Sequence, residues 1–310
     1  MKALYTIFYS VFWLLSLLPL PVLYVLSDAL YPIVYYVVRY RRKIVHKQLS
    51  ESFPQKTEEE IISIERKFYH FFCDYIVETL KLISISEEEM RKRVQFDHLE
   101  ALQEEMLEKG KTFGFAYLGH FGNWEWLASF ALWTKEDISA AQIYHPLRNK
   151  QFDRFFLQLR AQFGGESIPM KETLRRILTL RKQEQKTIVA FIADQSPKWE
   201  AMHHWTRFLN HDTSFFIGAE KMGKPIDAMF FYVHVTRPKR GYYHCCVEAI
   251  TWNPKTMDDY QITDLYAQML EKQIQEHPEL WLWTHNRWKR TKEKWLQRKA
   301  EEQKQHRNKA

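Results

Sequence analysis

The sequence has few cysteines and lacks the glycine-containing motifs of several large enzyme classes. Its three cysteines are Cys73, Cys245 and Cys246. An odd number, with two of them adjacent, makes a poor disulfide framework and indicates a reducing compartment. No G-x-S-x-G is present, so the nucleophile elbow of a serine hydrolase is not supported. There is no Walker phosphate loop and no G-x-G-x-x-G, so cofactor-dependent chemistry is not indicated.

The charge and the aromatic content point to classes of partner. The 310 residues include 45 Lys and Arg against 38 Asp and Glu, a net charge of +7. Such a chain suits acidic partners: anionic lipid head groups, phosphorylated sugars, an acidic carrier protein or nucleic acid. Aromatic residues make up 15% of the chain, with 11 tryptophans, and they favour membrane interfaces and large apolar ligands as well as protein cores. Composition leaves these partners open.

An uncharged stretch at 3–26 is long enough to cross a membrane. It has 24 residues, mostly Leu, Val, Phe, Tyr and Trp, and about 20 suffice to span a bilayer. Pro19 and Pro21 are expected to kink this helix or to end its straight part. A second apolar run, 29–38, follows Asp28. The pattern predicts a spanning helix followed by an interfacial one, or a re-entrant hairpin.

The basic residues beside this segment predict its orientation. Only Lys2 precedes it, whereas five basic residues follow it closely: Arg39, Arg41, Arg42, Lys43 and Lys47. The positive-inside rule then places the rest of the chain in the cytoplasm. A cleaved signal peptide is the alternative. No small-residue cleavage pattern follows Leu20, and the basic cluster is on the wrong side for a signal peptide, so an anchor is preferred.

Helices are predicted first, and a sheet after them. Capping patterns at Thr57 with Glu60 and at Ser86 with Glu89 start two helices, and 98–109 is a further helical stretch. The predicted strands are 112–118, 139–144, 187–193, 226–236 and 242–251, and the predicted helices of this part are 150–163, 171–182, 215–222 and 263–276. This alternation predicts an α/β fold, a mostly parallel sheet flanked by helices, with an N-terminal membrane helix. The last two strands are expected to form a β-hairpin at one edge.

No internal repeat and no Gly/Ser-rich linker divides the chain. The simplest division has a membrane anchor at 1–43 and one domain at 44–290. That domain combines a helical layer (57–110) with an α/β core (111–290). The basic tail at 291–310 is expected to be a frayed surface helix or disordered.

A polar turn at 119–125 follows the first predicted strand, where α/β proteins place ligands. Within one helix, His120 and Glu125 would point about 140° apart. If His120 lies in the loop, however, the Glu125 carboxylate can reach back to the imidazole. Asn123 would then be the N-cap, and Glu125 would suit the positive end of the helix dipole. A carboxylate holding one imidazole nitrogen leaves the other free to take a proton. The alternative is a buried histidine beside an unrelated surface glutamate.

This turn resembles the signature of the glycerolipid acyltransferase superfamily, a histidine at a strand end followed five residues later by Asp or Glu. The longer form, Gly119-His120-Phe121-Gly122-Asn123-Trp124-Glu125, is similar to the lipid A biosynthesis late acyltransferases of the lauroyl/myristoyl type. The resemblance covers nearly the whole chain, including the N-terminal helix and the stretches 144–149, 193–195 and 283–289. It implies transfer of a fatty acyl chain from an acyl carrier protein thioester to a hydroxyl of a lipid A precursor. It also implies His120 as general base, with Glu125 orienting it.

Three further residues are candidates for holding an oxyanion or a phosphate: Arg148, Arg160 and Asn123. Many relatives have a basic residue, often Arg, where this chain has His145, so Arg148 would supply the charge for a phosphate unless it is simply solvated. Arg160 lies close to a position where relatives carry an arginine needed for activity. It would hold the oxyanion or a phosphate by bidentate contacts, or only complement the helix dipole.

Other candidates lie at later strand ends and near the C-terminus. Asp194 closes a predicted strand and points toward the same rim as His120, where it would hold a loop, contact the sugar or merely form a turn. Arg287, with Asn286 and Lys289, is a candidate for binding head-group phosphates. The nearby tryptophans, Trp281, Trp283 and Trp288, would anchor the surface in the membrane or pack in the core. The histidines near Trp205 match no standard metal-ligand spacing, so no metal site is predicted.

The resemblance implies an O-acyltransferase of the bacterial inner membrane, and the basic residues after the apolar segment predict that its catalytic domain faces the cytoplasm. Acyl carrier protein is the expected donor, a lipid A precursor the expected acceptor, and neither a cofactor nor nucleic acid is expected. Two alternatives stay open. One is an acyltransferase acting on another lipid, such as a lysophospholipid or an aminolipid. The other is a non-enzymatic membrane protein that binds lipid through its basic, aromatic surface.

Overall fold

The computed structural model describes residues 2–307, with side chains from 9 to 305. The apolar N-terminus forms two helices, α1 (Lys2–Ser16) and α2 (Leu20–Pro32), and a π-helical stretch, Ile33–Val37, continues the second. The break falls at Pro19, which is extended and caps α2. Within the described residues, one stretch is long and apolar enough to cross a membrane, Leu20–Val37. The break expected at Pro19 and Pro21 is thus present, but the second apolar run continues the helix that begins at Leu20 instead of starting after Asp28. Which part crosses the bilayer stays a prediction.

Asp28 lies inside α2 and does not interrupt it. Its carboxylate accepts a hydrogen bond from Arg240 at 2.6 Å, and the neighbouring Ser27 hydroxyl donates to Asp74 at 2.7 Å. These polar contacts hold one face of α2 against the protein. The opposite face is apolar and exposed at Val22, Val25 and Leu26.

Four helices follow: α3 (Arg42–Ser52), α4 (Glu58–Lys81), α5 (Glu87–Arg93) and α6 (Leu99–Glu108). Both predicted caps are confirmed. Thr57 and Glu60 form a reciprocal capping box at the start of α4, and the Ser86 side chain accepts from the Glu89 amide at the start of α5. The buried stripe of α4 includes Phe68 and Val77, as its helical periodicity predicts.

A seven-stranded sheet forms the centre of the α/β part. Its strands are β1 (Val94–Asp97), β2 (Phe113–Leu118), β3 (Ser139–Tyr144), β4 (Glu166–Pro169), β5 (Thr187–Ile192), β8 (Met229–Lys239) and β9 (Tyr242–Thr251). A separate two-stranded ribbon consists of β6 (Thr206–Phe208) and β7 (His211–Thr213). The order is β1-β9-β8-β2-β5-β3-β4, and every neighbouring pair is parallel except β8 with β9. The predicted fold class is confirmed.

The predicted hairpin of β8 and β9 exists, but it does not lie at the edge of the sheet. β1 pairs with β9 on the outside, so the two edge strands are β1 and β4. Neither was predicted, because each has four residues, too few for an apolar alternation to be seen. β1 lies within the segment that was predicted to be wholly helical.

The remaining helices cover the sheet or follow it. They are α7 (Trp124–Leu127), α8 (Lys150–Ala161), α9 (Thr173–Lys182), α10 (Gly218–Gly223), α11 (Gln261–Glu276) and α12 (Lys292–Arg307), with 3-10 turns at Ala128–Trp133, Met170–Glu172, Trp199–Ala201, Pro254–Thr256 and Pro278–Leu280. α12 is the tail that was expected to be a frayed helix or disordered. Just before it, the chain runs beside the turn after β2, where Phe121 and Trp281 form an isolated bridge and the Leu282 amide donates to the His120 carbonyl.

Candidate active site

His120 and Asp194 meet because β2 and β5 are adjacent and in register. Leu118 and Ile192 are partners at the ends of these parallel strands, so the residues two positions further along lie side by side. His120 Nδ1 is 2.6 Å from Asp194 Oδ1, and the His120 amide donates to Asp194 Oδ2 at 2.9 Å. The expected position of Asp194 at the rim with His120 is confirmed.

The environment of Asp194 keeps it charged. Its side chain is 2% exposed, and Trp281 Nε1 also donates to Oδ2 at 2.8 Å. Burial opposes the charge, but the electrostatic interaction with His120 and these hydrogen bonds lower the pKa of Asp194 to about 2. A carboxylate can only accept, so Nδ1 of the neutral imidazole carries the proton and Nε2 is its basic nitrogen.

Nε2 of His120 faces the side chain of Gln195, the residue that follows Asp194. The Gln195 amide nitrogen lies 3.1 Å from Nε2 and donates to it. The ring of Trp124 packs edge-on against the imidazole, with centroids 5.2 Å apart, and stacks on Tyr75 at 4.3 Å. His120 is therefore fixed on three sides, while 19% of its side chain remains accessible.

The predicted contact between Glu125 and His120 is not formed. The Glu125 carboxylate accepts two hydrogen bonds from Arg160, from Nε at 2.9 Å and from Nη2 at 2.7 Å. Glu125 lies in the first turn of α7, as expected, but that turn directs it to the last turn of α8. The predicted orientation of His120 by Glu125 is thus corrected: Asp194, which follows the neighbouring strand β5, holds the imidazole.

The Glu125–Arg160 pair is largely shielded from water. The Glu125 side chain is 5% exposed and the Arg160 side chain 20% exposed. Burial disfavours the arginine charge, but the charge of Glu125 and its hydrogen bonds prevail and raise the pKa of Arg160. Arg160 is therefore a fixed cation whose Nη1 takes no part in the bidentate contact.

Asn123 is the N-cap of α7, as predicted, and its side chain is fully buried. Its oxygen accepts from the Trp126 amide at 3.1 Å, and its nitrogen donates to Glu78 at 2.9 Å. The amide is thus engaged inside the protein, where it stabilises the turn. It is not exposed toward an oxyanion or a phosphate.

The other two predicted arginines differ in their exposure to solvent. Arg148 is exposed in the loop before α8, and no described residue forms an ion pair with it. Arg287 is 2% exposed, donates to the Ser214 carbonyl at 2.6 Å and lies over the Phe215 ring. Burial lowers the pKa of Arg287 to about 10, although Asp194 opposes this. Arg287 therefore lies in the interior, close enough to Asp194 for the two charges to interact. A side chain buried in this way does not reach a lipid head group at the surface.

Three features of the site escaped the sequence reasoning. Gln195 and His285 were included only as members of motifs, and the buried Glu78 was not considered. Glu78 had a sequence signal, because Asp74 and Glu78 are acidic residues four apart in an otherwise apolar helix stretch. Trp281 and Trp283, proposed as membrane anchors or core residues, are buried core residues at 2% and 0% exposure.

The described residues contain no group of three or more His, Cys, Asp or Glu side chains that could hold a metal ion. An apolar cavity of about 30 Å³ lies against the sheet face, between residues such as Leu118, Leu127 and Phe231.

Fold and site together define an α/β protein with a carboxylate-held histidine at the carboxyl end of a mostly parallel sheet. The family model described as "Bacterial lipid A biosynthesis acyltransferase" matches residues 2–290. The chain therefore belongs to the bacterial lipid A biosynthesis acyltransferase family, whose members are membrane-associated. A comparison with curated proteins gave no match.

Proposed function

We propose that this protein transfers a fatty acyl chain from an acyl carrier protein thioester to a hydroxyl of a lipid A precursor. The observation that carries the mechanism is the position of His120. Its Nδ1 is held by Asp194, and its basic Nε2 lies at the carboxyl end of the parallel strands, where α/β proteins bind ligands. Family membership supports the reaction class and the acceptor, and the net charge of +7 suits two acidic substrates.

His120 acts as the general base. The acceptor hydroxyl displaces the Gln195 amide from Nε2 and gives its proton to that nitrogen as its oxygen bonds to the thioester carbonyl carbon. Asp194 stays ionised and stabilises the imidazolium. The carbon–sulfur bond then breaks, and the imidazolium returns the proton to the departing thiolate. The products are an ester and the free thiol of the carrier.

Arg160 stabilises the negative charge that develops on the carbonyl oxygen. Glu125 holds Nε and Nη2, which fixes the guanidinium plane and leaves Nη1 to donate. Glu125 thereby serves the reaction through Arg160 rather than through His120.

Transfer is direct, without an acyl-enzyme. Cys73 and Cys245 are buried, and burial raises the pKa of the Cys73 thiol to about 12 and that of Cys245 further. Thiols with raised pKa values are poor nucleophiles. Both substrates are therefore bound together when the acyl chain moves.

The chain is held in the inner membrane by Leu20–Val37, with the catalytic domain in the cytoplasm. The basic residues that follow, from Arg39 to Lys47, support this orientation. The outward apolar face of α2 would contact lipid, and its polar contacts to Asp74 and Arg240 would keep the active site close to the bilayer.

The test uses membranes that carry the intact protein, supplied with acyl carrier protein thioester and tetra-acylated lipid A precursor. His120→Ala should reduce transfer by about 10²–10⁴-fold, whereas His203→Ala, which removes an exposed histidine, should keep it. Equal product from His120→Ala would sink the mechanism. Product with a lysophospholipid but not with the lipid A precursor would move the proposal to another lipid acceptor.

A further inference from the structure

A cluster of cations lies beside the site without an acidic partner. It consists of Arg41, Lys289 and Arg290, with the buried Arg287 behind them. None of the four forms an ion pair with a carboxylate of the described residues. Burial and the positive charges of Arg290, Arg41 and Arg287 lower the pKa of Lys289. Like charges gathered in this way are stabilised by an anion from outside the protein.

Two of these cations are fixed in place by backbone carbonyls. Arg41 Nη1 donates to the Thr284 carbonyl at 2.9 Å, and Arg290 Nη1 donates to the Pro197 carbonyl at 3.1 Å. A guanidinium has five N–H donors, so each contact leaves most of the donors for another acceptor. Lys289 is close enough to both for their positive charges to act on it. Its ammonium makes no hydrogen bond to the described residues.

The backbone at the end of the apolar segment is shaped to bring Arg41 there. Arg39 and Arg41 both have φ of 52°, in the left-handed region that residues other than glycine rarely adopt. The Tyr69 hydroxyl donates to the carbonyl of Tyr40, the residue between them, at 2.5 Å. Strained backbone of this kind persists where the surroundings hold it, and it often marks a functional position.

The cluster adjoins the catalytic histidine. The carbonyl that holds Arg290 belongs to Pro197, two residues after Gln195, whose amide contacts His120 Nε2. Between them, the Ser196 amide donates to His285 at 3.1 Å. On its other side the cluster includes Arg41, four residues after the Leu20–Val37 stretch. It thus lies between the apolar anchor and the reacting imidazole.

We infer that Arg41, Lys289 and Arg290 form a subsite for a phosphate group on the head group of the acceptor lipid. The inference rests on the proposed function and adds a substrate determinant to it. A phosphate offers several acceptor oxygens and a negative charge, which two guanidinium groups and one ammonium complement. Arg287 supports the subsite through its charge and does not touch the ligand.

The phosphate could instead be that of the carrier's prosthetic arm or of a bilayer phospholipid, so the assay distinguishes these sources. Transfer is measured in neutral detergent micelles without phospholipid, using the phosphorylated lipid A precursor and its dephosphorylated form. The wild-type protein should prefer the phosphorylated acceptor. Lys289→Gln should reduce that preference, as the ratio of the two kcat/KM values, by about tenfold.

In Lys289→Gln, the change should fall mainly on the KM of the phosphorylated acceptor. The KM of the donor should be the same as in the control variant. Lys289→Arg should restore most of the preference. The control is Lys255→Gln, an exposed lysine near the opposite end of the strands, and it should leave the ratio unchanged. Equal use of both acceptors by the wild type, or an effect of Lys289→Gln on the donor KM alone, overturns the subsite.

A binding measurement separates failure of the subsite from failure of the proposed function. In micelles, the His120→Ala protein should bind the phosphorylated precursor more tightly than the dephosphorylated one, and adding Lys289→Gln or Arg290→Gln should weaken that binding. If binding depends on the phosphate in this way but the wild-type protein transfers no acyl chain, the subsite is supported and the proposed acyl transfer is refuted. Binding that ignores the phosphate would overturn the subsite whatever the activity.

Discussion

The Asn123 side-chain amide donates a hydrogen bond of 2.9 Å to the Glu78 carboxylate, and both side chains are fully buried. The same carboxylate accepts from Tyr24 of α2 at 2.9 Å and from Tyr243 of β9 at 2.6 Å. One carboxylate therefore joins the apolar N-terminal helix, the sheet and the turn that carries His120. The position of the anchor and the geometry of the active-site turn share this contact.

Glu78→Ala is expected to lower the free energy of unfolding by about 3 kcal/mol, because the buried donors Asn123 and Tyr243 and the partly buried Tyr24 lose their acceptor. Glu78→Gln keeps the size and one acceptor oxygen, so its cost should be smaller. Chemical denaturation in micelles measures both. Glu59→Ala, an exposed residue of the same helix, is the control. A Glu78→Ala protein as stable as that control would show that the contact does not stabilise the fold.

Asp194→Asn should lower kcat by about 10²–10⁴-fold while leaving the fold intact. Asparagine has the same shape but cannot stabilise the imidazolium by charge. The measurement is kcat at saturating donor and acceptor, compared with Asp258→Asn, an exposed aspartate before α11. If Asp194→Asn kept half of the wild-type rate, the carboxylate would have no part in the proton transfer.

Glu125 and Arg160 should behave as one unit in a double-mutant cycle. Removing either partner leaves the other charge buried, so each single alanine variant should cost about 3 kcal/mol of stability. The double variant should cost clearly less than the sum, because no unpaired charge remains. Unfolding free energies of the four proteins give the coupling. If the losses of unfolding free energy in the two single variants simply added up in the double variant, the bidentate contact would not contribute to stability.

The sequence was sufficient to predict the long elements of the α/β core. β3 and β9 have the predicted bounds, because apolar runs bounded by polar turns depend on local pattern alone. The positions of strands across the sheet depend on pairing between distant segments. For that reason the outer position of β1 was missed, and β9 was placed at an edge.

The same distinction explains the error in the active site. Glu125 is close to His120 in sequence, and nothing local indicates that its carboxylate turns toward Arg160. Asp194 is 74 residues from His120, and its contact follows only from the in-register pairing of Leu118 with Ile192. An active-site contact between neighbouring strands can be predicted only when the order of the strands in the sheet is known. Helix caps such as Thr57 and Asn123 can be predicted from the local sequence alone.

His285 should make stability fall as the pH drops below neutrality. Burial, followed by the charge of Lys289, lowers the pKa of His285 to about 3, and the opposing charge of Asp194 does not reverse this. In the unfolded chain a histidine titrates near 6.5, so between about pH 6.5 and 3 the unfolded state binds a proton that the folded state does not. Stability is therefore lost through this window, by about 2 kcal/mol between pH 7 and 5.

The variant His285→Gln isolates this contribution, because a glutamine oxygen can still accept from the Ser196 amide, as Nε2 of His285 does at 3.1 Å, but does not titrate. Unfolding free energies of both proteins are measured at pH 7, 6 and 5. The wild type should lose about 2 kcal/mol more than the variant over this range, while other histidines with a lowered pKa, such as His211, affect both proteins alike. Parallel pH curves for the two proteins would mean that His285 takes up a proton as readily in the folded state as in the unfolded chain.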